Sequence, residues 1–406
     1  MSVHFVLLRC RPHLIYLHSL FPVTCFTPVV LLAILLFLVG CHNEASETQV
    51  EIIVPERERI PHYDREHIVV DQSRSFQELV DPPAELVLLH NYLQNPNELT
   101  RVPLDLMFSG FVGPGFGVQS LSPNRLLILS NSQLIEYDVS THHHSTIAGE
   151  GQGPEDIYRA SDITLKDEMV HIARGDMYVS SFDCREVPCK HIDAIYVNFR
   201  PQSAAVGETH YTLLELGDGS DPLRLVDRSG KQIAAFGDAY DSEEYPILTN
   251  YFSQFGQVQY SSSTDRHILS YSAFPYLYIY DSSLELLETY ELADFSLPQF
   301  IFEPGERSVS SPQNDLDMVN SIRVVDNGSL LVEKLSVSHI TETQDQNYRH
   351  EFYVLDLKHG DSFYIGGHDR PGQKLGVSTG EQVFVTDFGL VIYDHDEIVL
   401  YWIGIE

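Results

Sequence analysis

Positive charge is the scarcest resource of this sequence. Its 406 residues hold 25 Lys and Arg against 58 Asp and Glu, a formal net charge of −33. Arg9 and Arg11 fall in the first 40 residues, which contain no Asp or Glu, so the remainder carries −35. Nucleic-acid binding needs clustered Lys and Arg to displace counterions, and a field of this sign repels phosphate backbones. Nucleic acid is therefore excluded as a partner. The carboxylate surplus reads as a solvated acidic surface that keeps the domain soluble, the rival reading being a cation-attracting face. Tryptophan is limited to Trp402, and no serine nucleophile elbow is assigned.

Long apolar runs are equally informative. Val29 to Val39 is an uninterrupted stretch of 11 apolar residues ending in Leu38-Val39-Gly40-Cys41, followed by the polar His42-Asn43-Glu44. The run has the length of a signal-peptide core. The tetrapeptide looks like a bacterial lipobox, in which a small residue precedes the Cys whose thiol takes the lipid. Residues 1–40 are read as a lipoprotein signal peptide, Cys41 as the lipidation site, and 41–84 as a lipid-anchored tether with N-terminal strands. The other reading, an uncleaved membrane helix over 14–40, meets Pro22, Pro28 and His18. Cys10 and Cys25 leave with the leader, so Cys184 and Cys189 are the remaining thiols. In an oxidising envelope compartment they are expected to form a disulfide, worth roughly 2 kcal/mol for so short a loop. A thiol metal site with His191 lacks a second ligand pair at zinc spacing.

What the chain has in quantity is one strand. Leu134-Ile135-Glu136-Tyr137-Asp138 returns as Tyr178 to Asp183, Leu223 to Asp227, Leu277 to Asp281, Phe352 to Asp356 and Leu390 to Asp394, with 45, 44, 54, 75 and 38 residues between successive Asp. A β unit of about 40–50 residues is the period of a propeller blade. The sequence predicts an all-β six-bladed β-propeller of four-stranded antiparallel blades over 85–406, preceded by the signal peptide and a short tether. Blades are placed at 118–147, 160–195, 204–236, 255–292, 321–356 and 383–403. Residues 303–318 and 339–349 are read as insertions in blade five, and 85–89 as a strand. One of the early strands, near 50–54, 67–71 or 85–89, is expected to pair with the last blade and close the ring. The Asp that ends each repeat is expected to cap the turn after it.

The sharpest local motif is Gly149-Glu150-Gly151-Gln152-Gly153-Pro154-Glu155-Asp156-Ile157. It is not a phosphate loop, because the continuation Ser161-Asp162-Ile163-Thr164-Leu165 alternates like a strand and no helix follows. Instead it marks the crossover from blade one to blade two. With this motif, the Tyr-Asp strand ends and the lipobox, the chain resembles the six-bladed β-propeller lipoproteins of Gram-negative bacteria, relatives of the NHL-type and TolB-like propellers. The resemblance implies that fold and a cell-envelope location, and brings no catalytic residues with it.

Propellers bind ligands where inner-strand loops converge on the channel. Glu150, Glu155, Asp156 and Arg159 are candidate ligand-binding residues near a crossover, though turn residues bonding free backbone groups also have this look. His142, His143 and His144 read as a solvated turn. Tyr240, Tyr245, Tyr251, Phe252 and Phe255 form an aromatic stretch suited to stacking on a sugar or to packing between blades. The functional expectation is a membrane-anchored envelope lipoprotein that binds a protein, peptide or glycan, with its propeller in the periplasm or on the cell surface. No cofactor is identified. The alternative is a propeller hydrolase or lyase using a divalent metal at the channel.

Overall fold

The computed structural model describes residues 51–104, 106, 116–130, 133–151, 153–215, 221–241, 248–249, 255–302, 315–325, 328–340, 345–370, 381–394 and 399–405. Cys41, residues 1–40 read as a signal peptide, Tyr245, Tyr251, Phe252 and residues 303–314 lie outside them. The described residues form six four-stranded antiparallel blades. Blade one is Gly117–Ser122, Arg125–Ser130, Gln133–Asp138 and His143–Ala148. Blade two is Ala160–Lys166, Met169–Arg174, Tyr178–Asp183 and Lys190–Tyr196; blade three is Pro201–Val206, His210–Glu215, Leu223–Asp227 and Gln232–Phe236. Blade four is Gly256–Ser261, Arg266–Tyr271, Tyr276–Tyr280 and Leu286–Leu292, and blade five is Leu316–Val324, Ser329–Ile340, Asp345–Asp356 and Asp361–Arg370. Blade six takes Glu381–Thr386, Gly389–Asp394 and Val399–Gly404 from the C-terminal end and Val102–Leu104 as its fourth strand.

The strand types follow from where each lies in its blade. Second strands are covered on both faces by neighbouring blades and read as continuous apolar runs: Leu126, Leu127, Ile128 and Leu129 are all fully buried. Outer strands face solvent on one side, so His143–Ala148 is mostly exposed. First strands of adjacent blades pack on one another and line the channel. Antiparallel alternation puts the first-to-second and third-to-fourth hairpins on one face, here the hairpin face. The blade-to-blade crossovers share the other, the crossover face.

The repeated strand is the third strand in blades one to five, and its Asp does cap the next turn. Asp138 Oδ1 accepts from the backbone N–H of Ser140 and Thr141, Asp227 Oδ1 from those of Ser229 and Lys231, and Asp281 Oδ1 from those of Ser283 and Glu285, all within 3.1 Å. The Ser140 hydroxyl first, then the Thr141 amide, hold the Asp138 carboxyl below its ordinary range. The sixth copy departs from the series. Leu390 to Asp394 belongs to the second strand of its blade, which accounts for the short last interval.

Ring closure comes from an unexpected strand. Val102–Leu104 pairs antiparallel with the third strand of blade six, in the register Leu400↔Leu104 and Trp402↔Val102. Leu104 and Trp402 are buried together with Leu126, Tyr137 and Tyr393 between blades six and one. The earlier strands go elsewhere. Glu51–Ile53 pairs with Phe300–Phe302, and Ile68–Val70 runs parallel to Leu286–Leu292 as a fifth strand on blade four.

Two local expectations are corrected. Residues 85–89 belong to an α-helix, Ala84–Gln94, whose buried Leu86, Leu89 and Tyr92 have helical spacing and pack on blades five and six; five residues of Glu, Leu and Val are too few to separate the two periods. Residues 339–340 and 345–349 are not a loop insertion: they extend the second and third strands of blade five, which pair out to Ile340↔Asp345 as a long hairpin. Shortening Leu104 to Ala is expected to cost roughly 2–4 kcal/mol in denaturant unfolding, as for a buried large-to-small change, because the cavity opens at the seam that closes the ring.

Candidate functional site

The channel wall is built from polar side chains that each blade extends to the next. In blade one, Gln119 Nε2 donates to Ile163 O of blade two at 3.2 Å. In blade two, Ser161 Oγ donates to Pro201 O at 2.9 Å, and Asp162 Oδ2 accepts from Ala204 N at 3.0 Å and Ser203 Oγ at 2.7 Å. Ser203 Oγ in turn accepts from Val258 N of blade four at 3.1 Å. Gln257 of blade four donates to Asn320 O at 2.8 Å and accepts from Ile322 N at 2.9 Å. Arg323 of blade five donates to Asp387 of blade six, and also to Gln119 Oε1 of blade one at 3.1 Å. Phe388 N completes the circuit on Ser120 Oγ, at 3.2 Å. Burial raises the Asp162 carboxyl above its ordinary value, and the three hydrogen bonds it accepts only partly offset that.

Two wall residues keep an atom outside this circuit. Gln202 Oε1 and Arg323 Nε are buried without a hydrogen-bond partner among the described residues. Gln202 sits where the pairing of Pro201–Val206 with its neighbour shifts register, and such bulges re-aim a side chain. Neither residue is singled out by the sequence, since a lone Gln or Arg in a β-strand carries no spacing signal. On the hairpin face, Asp387, Phe388, Pro123 and Ile405 line a cleft of about 460 Å³ together with Asp81, Pro83, Ala84 and Glu85 at the start of the helix.

The crossover motif is organised by two side chains. Asp156 Oδ2 accepts from Gly153 N at 2.9 Å, while Ile157 N donates to Gly149 O at 2.8 Å. A Cβ on Gly151 would lie 2.1 Å from Asp156 Oδ2, so the glycine is required for the carboxylate to fold under the loop. From blade two, Arg174 reaches the Gly153 and Pro154 carbonyls at 3.4 Å, Ser180 Oγ at 3.0 Å and both oxygens of Asp176. Arg174 is 1% exposed. Glu150, Glu155 and Arg159 are exposed, and the Arg159 guanidinium lies 5.2 Å over the Tyr158 ring. The four candidate residues therefore share one crossover, but among the described residues only Asp156 makes a side-chain hydrogen bond within it.

The other sequence-derived residues are also placed. Cys184 and Cys189 form a disulfide, with Cys189 N donating to Glu136 Oε2 at 3.1 Å and Cys184 O accepting from Arg125 at 3.0 Å. His142, in the turn after Asp138, and His143 and His144, which open the fourth strand, are all exposed. Tyr240 is buried against Phe274, whereas Phe255 is 45% exposed. Among the described residues no three His, Cys, Asp or Glu side chains are grouped to hold a metal ion. Gly376-Val377-Ser378-Thr379-Gly380 does match the elbow pattern. It lies outside the described residues and is followed by the strand Glu381–Thr386, whereas an elbow leads into a helix.

Blade five holds a buried charged centre that the repeat pattern conceals. Glu333 accepts from Asn320 and Ser321 and pairs with His350 Nδ1 at 2.6 Å. Lys334 lies 3.6 Å from Asp317, 3.7 Å from Glu351 and 3.1 Å from Asp294 O. Burial opposes charge on Glu333, yet the hydrogen bond from His350 and those from Asn320 and Ser321 hold its carboxyl below the usual value. The signal is the consecutive Glu333-Lys334 inside the otherwise apolar run Leu330 to Leu335.

No protein-family model matches the chain, and no curated protein does. Solved structures do. A member of the duf4221 family from Bacteroides vulgatus aligns with a TM-score of 0.44 at 10% identity, covering 76% of this chain and 96% of that one. A structural genomics protein from Bacteroides thetaiotaomicron gives 0.43 at 11%, covering 75% and 72%, and a streptogramin B lyase 0.41 at 8%, covering 76% and 97%. At these identities the likeness is one of fold.

Three measurements follow. Replacing Arg174 with Met is expected to cost about 3 kcal/mol or more in unfolding free energy, because Asp176 and two crossover carbonyls lose their buried donor. In Gly151→Ala the loss is expected to be smaller when Asp156→Ala is also present, since the clash goes with the carboxylate. Burial, and next the charges of Arg228 and Lys166, push His171 down to about 3; burial and then His210 bring His267 to about 4. Both rings stay neutral in the native state while the unfolded chain takes up protons below about pH 6.5. Stability is thus full above that pH and falls on acidification toward pH 4, by up to about 1.4 kcal/mol per pH unit for each histidine. His171→Gln and His267→Gln are each expected to flatten that slope in urea titrations.

Proposed function

We propose that this chain is a membrane-anchored cell-envelope propeller lipoprotein that binds a protein, peptide or glycan at a mouth of its channel. The observation that carries the binding reading is Gln202 Oε1, a buried acceptor at the crossover end of the first strand of blade three that has no hydrogen-bond partner among the described residues. A buried acceptor left without a partner costs roughly 1–3 kcal/mol, and a ligand that brings a donor to it at the crossover mouth relieves that cost. Anchoring is supported by the apolar run and the Gly40-Cys41 junction.

The anchor is tested by cell fractionation: labelled fatty acid enters the wild-type chain, while Cys41→Ala takes up none and leaves the membrane fraction. Binding is tested in the same cells with a photo-crosslinking residue at Glu155 on the crossover face or at Asn124 on the hairpin face. A discrete adduct from one face, weakened by Gln202→Ala, is expected. Adducts from neither face, together with a melting temperature that drops on EDTA addition, would replace the binding reading with metal chemistry.

A further inference from the structure

Away from the channel wall, the seam between blades two and three carries two cationic side chains near the hairpin face. Cross-strand register fixes what faces this seam. Thr164 is paired with His171 and Lys166 with Met169, so all four side chains share one face of blade two. That face is turned toward blade three. The Thr164 hydroxyl donates to Ala204 O, and His171 Nδ1 lies 3.2 Å from Tyr211 Oη and 2.9 Å from Ser181 Oγ. From blade three, the Arg228 guanidinium stands 4.3 Å over the Tyr211 ring and donates to Gly207 O at 2.6 Å. Lys166 and Arg228 therefore enter one seam from opposite sides.

The charge at this seam is unbalanced. Among the described residues Lys166 Nζ is buried with no hydrogen-bond partner, and neither Lys166 nor Arg228 has a carboxylate within ion-pair distance. Nearby Asp167, Glu168 and Glu208 are exposed, and Asp265 is engaged by the Tyr260 hydroxyl. Both cations act on the same two rings, lowering His171 and His210 after the larger effect of burial. Their fields therefore converge at the hairpin of blade three. A buried ammonium without a counter-charge is costly, most of all in a chain with a net charge of −33, where carboxylates are abundant. From these positions we infer that Lys166 and Arg228 form a binding site for an oxyanion group, a carboxylate, sulfate or phosphate. Arg228 supplies a planar donor edge, Lys166 a point charge, and the floor is the neutral Ser181–His171–Tyr211 set. The site does not depend on what the channel binds.

The full-length chain is titrated with sodium phosphate, sodium sulfate and sodium glucuronate against sodium chloride at matched ionic strength, with melting temperature as the readout. A saturable rise for at least one oxyanion is expected, following the mass-action form for a ligand that binds only the native state. Whichever of the three acts identifies the group. Lys166→Met and Arg228→Met are each expected to weaken the apparent affinity at least ten-fold, whereas Lys190→Met, which removes an exposed lysine paired with Glu186, leaves it unchanged. A rise that never saturates, or one equal in wild type and Lys166→Met, is the general effect of excluded salts and overturns the site. Should either variant fail to fold, isothermal titration of the wild-type chain with each of the three salts in 0.15 M-range chloride decides: saturable heat for any one upholds the inference, and none for all three overturns it.

Discussion

Everything in this ring depends on what happens to the inner edge of each blade. A first strand pairs on one side only, so the other side presents N–H and C=O groups to the channel, and unpaired buried backbone groups are not tolerated. The chain meets this with side chains. Asp162 serves Ala204 N, Ser203 serves Val258 N, and Gln257 serves both Asn320 O and Ile322 N, each reaching into the following blade. The hydrophobic clusters between blades supply the bulk of the burial, but the force that gathers them is non-directional. The directional bonds set how far each blade is rotated from the last, and hence that six of them close.

The fold was written in the sequence chiefly because one strand has a strong local cause. An Asp after an apolar third strand accepts two or three turn donors, so it is retained wherever that hairpin recurs, at Asp138, Asp227 and Asp281. Blade borders follow from those turns. What the pattern hid is long-range. Val102–Leu104 has only three residues, one of them Pro103, and becomes a strand because Leu400–Trp402 offers it an edge. The helix Ala84–Gln94 likewise owes its place to the apolar surface of blades five and six.

The candidate sites were legible to different degrees for a related reason. The Gly149–Ile157 crossover shows itself through spacing, because Asp156 needs small residues above it. Its principal anchor, Arg174, does not, since it comes from the second strand of the next blade. The same applies to Gln202, Arg323, Lys166 and Arg228. Each becomes informative only when blades far apart in sequence are brought together and some of their polar atoms are left without partners.

The closing strand also sets a timetable. Leu104 and Leu400 are register partners separated by about 300 residues, so the ring cannot be completed until the last blade has been made and, for an exported chain, delivered. Closure of so large a loop is entropically slow, and until it happens blade six presents an open strand edge to any neighbour. The same three-residue strand that seals the mature ring therefore marks the interval in which the chain most needs a chaperone.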